Sequence, residues 1–168
     1  MYNFEPFYRI KVDRVVDGDT LVISFHLGLG IWLDEQKVRL IGINAPEMKG
    51  ESKAKGEKVK LYLAKLIASA EDIIVRTDEK KKGKYGRFLV VVYGKYGGKW
   101  QNLNQKLVQV GAAVEYMVSS QVDVEEIFNP APEDIEDRVK VNERRTEDEI
   151  YREVKAMLKL AKEVLCGE

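Results

Sequence analysis

The sequence predicts an α+β, β-rich fold: a small five-stranded barrel carrying about three helices. Three observations predict it. Short apolar runs with turn residues between them fill the first part of the chain. A long helical pattern interrupts these runs after the third strand, and helical patterns return towards the C-terminus. The length, 168 residues, suits one compact domain spanning 1–168, long enough to bury a core.

Each element has a local reason. Residues 8–16 alternate loosely (Ile10, Val12, Val15) and run into Asp17-Gly18-Asp19-Thr20, a turn signal, so residues 21–25 read as the return strand of a hairpin. Gly28 and Gly30 mark a break before Ile31-Trp32-Leu33. Residues 37–43 read as a third strand, and Pro46, which has no N–H to donate, takes the chain out of the ladder. From about 51 to 70, Val59, Leu63, Leu66, Ile67 and Ala70 recur at helical spacing with lysines between them. Strands return at 72–78 and 88–93 around a lysine-rich turn, and 94–98 reads as a further turn. Residues 102–110, stopped by Gly111, read as a short helix.

The segment 118–142 carries Pro130, Pro132 and many acids and reads as an acidic surface loop. A C-terminal helix follows at about 146–166: Thr146 and Glu149 have capping-box spacing, and Ile150, Val154, Met157, Leu158, Ala161 and Leu165 form one stripe. An oligonucleotide-binding (OB-fold) barrel fits the strand count and the size.

Composition narrows the function classes. Apolar residues make up 45% and charged residues 33%, which describes a globular chain and not a disordered tail. The net charge is zero, so an affinity for nucleic acid has to come from local clustering, as at Lys80, Lys81, Lys82, Lys84 and Arg87. One cysteine, Cys166, excludes an intramolecular disulfide and a cysteine metal site. The N-terminus lacks the basic start and apolar run of a signal peptide, and no apolar run would span a bilayer. A cytoplasmic location, no membrane partner and a monomer are the expectations.

Three clusters bear chemistry. The first is the Asp17–Thr20 turn. In the second, residues 38–47, Arg39 sits in an otherwise apolar strand. Its guanidinium either faces the barrel interior, where it needs an anion or carboxylate, or points outward from a half-buried strand. The third is Lys84-Tyr85-Gly86-Arg87, which on its own reads as a solvated basic turn. His26 and Cys166 stand without partners at any useful spacing and read as structural.

In order, these clusters and Leu103-Asn104 with Leu107-Val108 and Gly111 resemble the staphylococcal nuclease (thermonuclease) family, over about residues 8–116. The resemblance implies an SNase-like OB-fold and a calcium-dependent phosphodiesterase that cleaves DNA and/or RNA at the P–O5′ bond to leave 3′-phosphates. By similarity Asp19 would bind Ca2+, with Asn44 and the carbonyl of Ala45. Arg39 and Arg87 would clamp the scissile phosphate, and Glu47 would act as general base or position the attacking water. Lys84 and Tyr85 fall where the family contacts a terminal phosphate. Tyr116 falls near a base-stacking tyrosine, with the spacing from Gly111 one residue short.

One departure concerns the metal: Asn44 stands where the family has its second calcium-binding carboxylate. An amide oxygen ligates calcium without bringing charge, so affinity is expected to weaken or another divalent ion to serve. Two alternatives stand beside the nuclease: a catalytically inactive SNase-like module that binds nucleic acid or protein, and an unrelated small barrel.

Overall fold

A computed structural model describes residues 7–82, 87–116 and 127–143. Five strands close a barrel. Strand β1 (Phe7–Asp17) turns through Gly18-Asp19 into β2 (Thr20–Gly28), which pairs antiparallel with β3 (Ile31–Leu40). After a two-residue strand β4 (Ile43–Asn44), a single 3-10 turn (Gly50–Ser52) leads into helix α1 (Lys53–Ser69). Strands β5 (Ile73–Lys82) and β6 (Phe88–Tyr96) follow, and β5 pairs antiparallel with both β1 and β6. The circuit is completed by a parallel ladder between β3 and β6, in which Val38, Arg39 and Leu40 face Phe88, Leu89 and Val90. This is the mixed, closed, five-stranded barrel of an SNase-like OB-fold, with three α-helices among the described residues.

Beyond the barrel come β7 (Lys99–Asn102), α2 (Leu103–Gln109), β8 (Val114–Glu115) and α3 (Ile135–Glu143). Strand β7 extends the sheet from β6, while β8 pairs with β4 in a small second sheet.

Alternation along the strands builds two apolar clusters. Leu21, Ile23, Phe25, Val38, Leu40, Val75, Val90 and Val92 fill the barrel, with Val59 and Leu63 of α1 and Leu103 and Leu107 of α2 packed against them. The opposite faces contribute Phe7, Ile41, Ile74, Leu89, Val91 and Tyr93 to a second cluster, covered by Ile127, Ile135 and Val139. Residues 88–93 are therefore continuously apolar because both faces of β6 are covered, a pattern more usual in buried parallel strands.

Several expectations change. The third strand, expected over 37–43, instead runs from Ile31 to Leu40. Gly42, at φ 79°, then separates it from β4. The expected turn at 94–98 narrows to Gly97-Gly98, both at positive φ, and a further strand, β7, follows it. The acidic segment 118–142 is not a loop throughout. Ile135 and Val139, one helical turn apart, are buried in the outer cluster, and Lys95 Nζ holds Glu136 Oε1 at 2.5 Å. The expected C-terminal helix at 146–166 lies outside the described residues, as do Lys84 and Tyr85.

Candidate active site

The site is built where the first hairpin meets the end of β3. In the turn, the Asp17 carboxylate accepts the amide of Asp19 at 3.1 Å, a local bond that stabilises the tight reversal. Thr20 pairs with Arg39 across β2 and β3, and the amide of Leu40 donates to the carbonyl of Asp19 at 2.8 Å. The register thus brings the Asp19 side chain, just outside the ladder, beside the Arg39 guanidinium.

Arg39 has an outward orientation, because Val38 and Leu40 on either side of it are the residues that enter the barrel. It is nonetheless largely covered, its side chain 20% exposed. Its Nη1 donates to Asp19 Oδ1 at 2.8 Å, and its Nη2 donates to Asn44 Oδ1 at 3.2 Å and to the Ile43 carbonyl at 3.3 Å. Asp19 accepts two further bonds: the Thr20 hydroxyl at 3.1 Å on Oδ1 and the Ala45 amide at 2.9 Å on Oδ2. The β2–β3 hairpin and the 43–45 segment are tied together through one carboxylate.

Burial pushes the Asp19 carboxyl above its ordinary value, and the negative charge of Asp17 adds to this; the Ala45 amide, the Arg39 charge and the Thr20 hydroxyl pull the other way. Desolvation is the larger effect because Asp19 is only 5% exposed.

The remaining candidates are distributed around this network. Arg87 lies immediately before β6, two residues ahead of Leu89, the parallel partner of Arg39. Their Cα atoms are thus offset by roughly 7 Å along the ladder. Glu47 is exposed, two residues beyond the anchored Ala45. Tyr116 is 49% exposed, and its amide donates to the Gly42 carbonyl at 2.9 Å, next to the β4–β8 pairing that sets Val114 opposite Asn44.

Sequence reasoning passed over three contributors. Thr20 completes the Asp19 network. Asn104, fully buried, donates to the Ile41 and Val90 carbonyls at 2.9 and 3.1 Å and accepts the Val92 amide at 3.0 Å, holding β6 to the segment after Arg39. Its place in the Leu103-Asn104 motif was the available signal. The third, Gly56 of α1, lies against the backbone of Pro46 and Glu47.

A divalent cation has a chemically suitable but sparse set of ligands here. Calcium takes roughly six to eight oxygen ligands. The Asp19 carboxylate, the Asn44 amide oxygen and the Ala45 carbonyl are all hard oxygen donors, and only Asp19 carries charge. Among the described residues, no group of three or more carboxylate, imidazole or thiol side chains gathers to hold a metal. Both Asp19 oxygens and Asn44 Oδ1 already accept protein hydrogen bonds, so a cation would compete with Arg39 for Asp19 Oδ1 and Asn44 Oδ1 and with the Ala45 amide for Asp19 Oδ2.

A closed, five-stranded OB-fold barrel belongs to a class of small domains whose sheet face and loops bind oligonucleotides or oligosaccharides. The family follows from comparison. A profile of the staphylococcal nuclease homologue family matches residues 37–136, more than half of the chain. The chain is also 30% identical over 152 residues to the uncharacterized protein MJ1439 of Methanocaldococcus jannaschii, a match spanning 79% of this chain and 70% of that protein. The chain belongs to the staphylococcal nuclease homologue family, whose domains bind nucleic acids. Among the described residues no helix is long and apolar enough to cross a membrane.

Proposed function

We propose that this chain is a phosphodiesterase that hydrolyses DNA and/or RNA at the P–O5′ bond and leaves 3′-phosphates. The observation that carries the proposal is the Arg39 guanidinium, fixed by Asp19 and Asn44 at the barrel edge, with Arg87 immediately before the neighbouring strand β6. A phosphodiester is shielded by its own negative charge, so its hydrolysis needs cationic donors aimed at the non-bridging oxygens.

In this mechanism Arg39 and Arg87 bind those oxygens through charge-assisted hydrogen bonds, which strengthen as charge accumulates on them. Glu47 accepts a proton from the attacking water, or orients it, from its exposed position past Pro46. As the water oxygen bonds to phosphorus, the P–O5′ bond breaks and the 5′-oxygen takes up a proton from solvent, to which Glu47 returns the proton it accepted. Lys84, Tyr85 and Tyr116 contact the flanking phosphate and base. Calcium, held by Asp19, Asn44 and the Ala45 carbonyl, would neutralise phosphate charge when bound.

A second reading is supported by Asn44, which removes an anionic ligand: an inactive module that binds nucleic acid or protein through the same barrel. Hydrolysis of single-stranded DNA with calcium, and then with chelator, separates the two for the wild type and R87A. Calcium-dependent cleavage lost in R87A supports the enzyme. Absence of cleavage with every divalent ion tried rejects it and leaves the binding module.

A further inference from the structure

Two glycines in this fold have ordinary backbone conformations, and what they contribute is the absence of a side chain. Gly56 lies inside α1, where glycine is disfavoured relative to alanine by roughly 1 kcal/mol. It is buried, and a Cβ added there would lie 2.7 Å from the Glu47 carbonyl oxygen and 2.8 Å from that of Pro46. The helix therefore rests directly on the main chain that bears Glu47. Gly18, in the turn before Asp19, is the counterpart. A Cβ there would lie 2.6 Å from Ala45 Cβ and 2.6 Å from Cγ1 of Val59, one turn along α1 from Gly56.

We propose that Gly56 is a positioning residue: with Gly18, it lets one face of α1 set the separation between Asp19 and Glu47. The two residues stand on different loops. Asp19 Oδ2 reaches as far as the Ala45 amide, and beyond Ala45 the α1 face is what supports the chain through Pro46 and Glu47. A methyl at position 56 would meet two carbonyl oxygens on the same main-chain segment, so either the loop or the helix has to move. A shift of about 1 Å at a reacting group is enough to cost roughly a hundredfold in rate.

This inference rests on the proposed role of Glu47, and the test separates the two. The turnover of a single-stranded DNA oligonucleotide with calcium is measured for wild type, G56A, E47Q and the double variant E47Q/G56A. G56A should lower kcat by about 10- to 100-fold with KM within about twofold. In the E47Q background the same change should cost less than about threefold, because the displaced group is already gone. L63A, which removes buried packing on the same helix away from both loops, lowers the melting temperature and leaves kcat at 25 °C nearly unchanged. G18A presses on the same helix face from the Asp19 side, and it carries the same cycle with E47Q should G56A not be recovered folded.

If G56A retains wild-type kcat, or costs the same with and without Glu47, Gly56 is only a packing residue. If E47Q itself leaves kcat unchanged, the role of Glu47 fails and the positioning role fails with it.

Discussion

Arg39 and Asp19 form a nearly buried ion pair, with Nη1 of the arginine 2.8 Å from Oδ1 of the aspartate, and Nη2 of the same guanidinium reaches Asn44. The fork shape matters as much as the charge, since one planar group reaches two loops. R39K keeps the charge and loses the fork. The expected outcome is a fall in kcat/KM on single-stranded DNA of about 10²- to 10³-fold. A loss below tenfold would mean that only the charge is used.

Asn44 accepts from Arg39 and brings no charge of its own. N44D supplies a second anionic oxygen ligand beside Asp19. Calcium affinity, measured by titration calorimetry without substrate, is expected to rise about tenfold, or roughly 1.4 kcal/mol. Unchanged affinity would remove position 44 from the ligand set.

Asp19 gives a pH-dependent stability with a definite sign. Burial holds its carboxyl above the ordinary value of 3.8, so the folded chain binds this proton more tightly than the unfolded chain does. The stability linked to that proton is fully present below the ordinary value and is lost as pH rises through the raised folded value. D19N cannot lose it. The stability of D19N relative to wild type, from urea denaturation, should therefore rise as pH increases from the ordinary value of 3.8 through the raised folded value. A difference that falls over this range would show that Arg39 and the Ala45 amide outweigh desolvation.

Asn104 joins β6 to Ile41 through three main-chain bonds in a fully buried position. N104A leaves the Val92 amide and the Ile41 carbonyl without these partners. Unfolding free energy should drop by about 2–4 kcal/mol. Because this clamp holds the parallel β3–β6 ladder that brings Arg87 near Arg39, activity below the melting temperature should also fall. A variant with unaltered stability would mean that water replaces the amide.

Strand alternation, the Asp-Gly turn, the helical stripe of Val59 and Leu63 and the glycine stop at Gly111 were all legible in the sequence, since each is local. The four-residue strand β7 and the helix α3 were not. Gly97-Gly98 sat in a longer stretch that read as turn, and Ile135 and Val139 are two apolar residues among acids that read as a solvated loop. Each is ordered by what it packs or pairs against, which a local pattern does not carry. The same holds for the orientation of Arg39, settled by which of its neighbours enter the barrel.

The residues of the Asp19, Arg39, Asn44 and Glu47 cluster, and their order along the chain, are properties of the sequence by itself, as is the β-rich barrel class. Their mutual arrangement belongs to the tertiary structure. Closure of β3 on β6 sets Arg39 beside the strand that Arg87 precedes, the hairpin register turns Asp19 onto Arg39, and α1 approaches close enough at Gly18 and Gly56 to exclude a methyl group. These are contacts between segments distant in the chain, made only when the barrel closes.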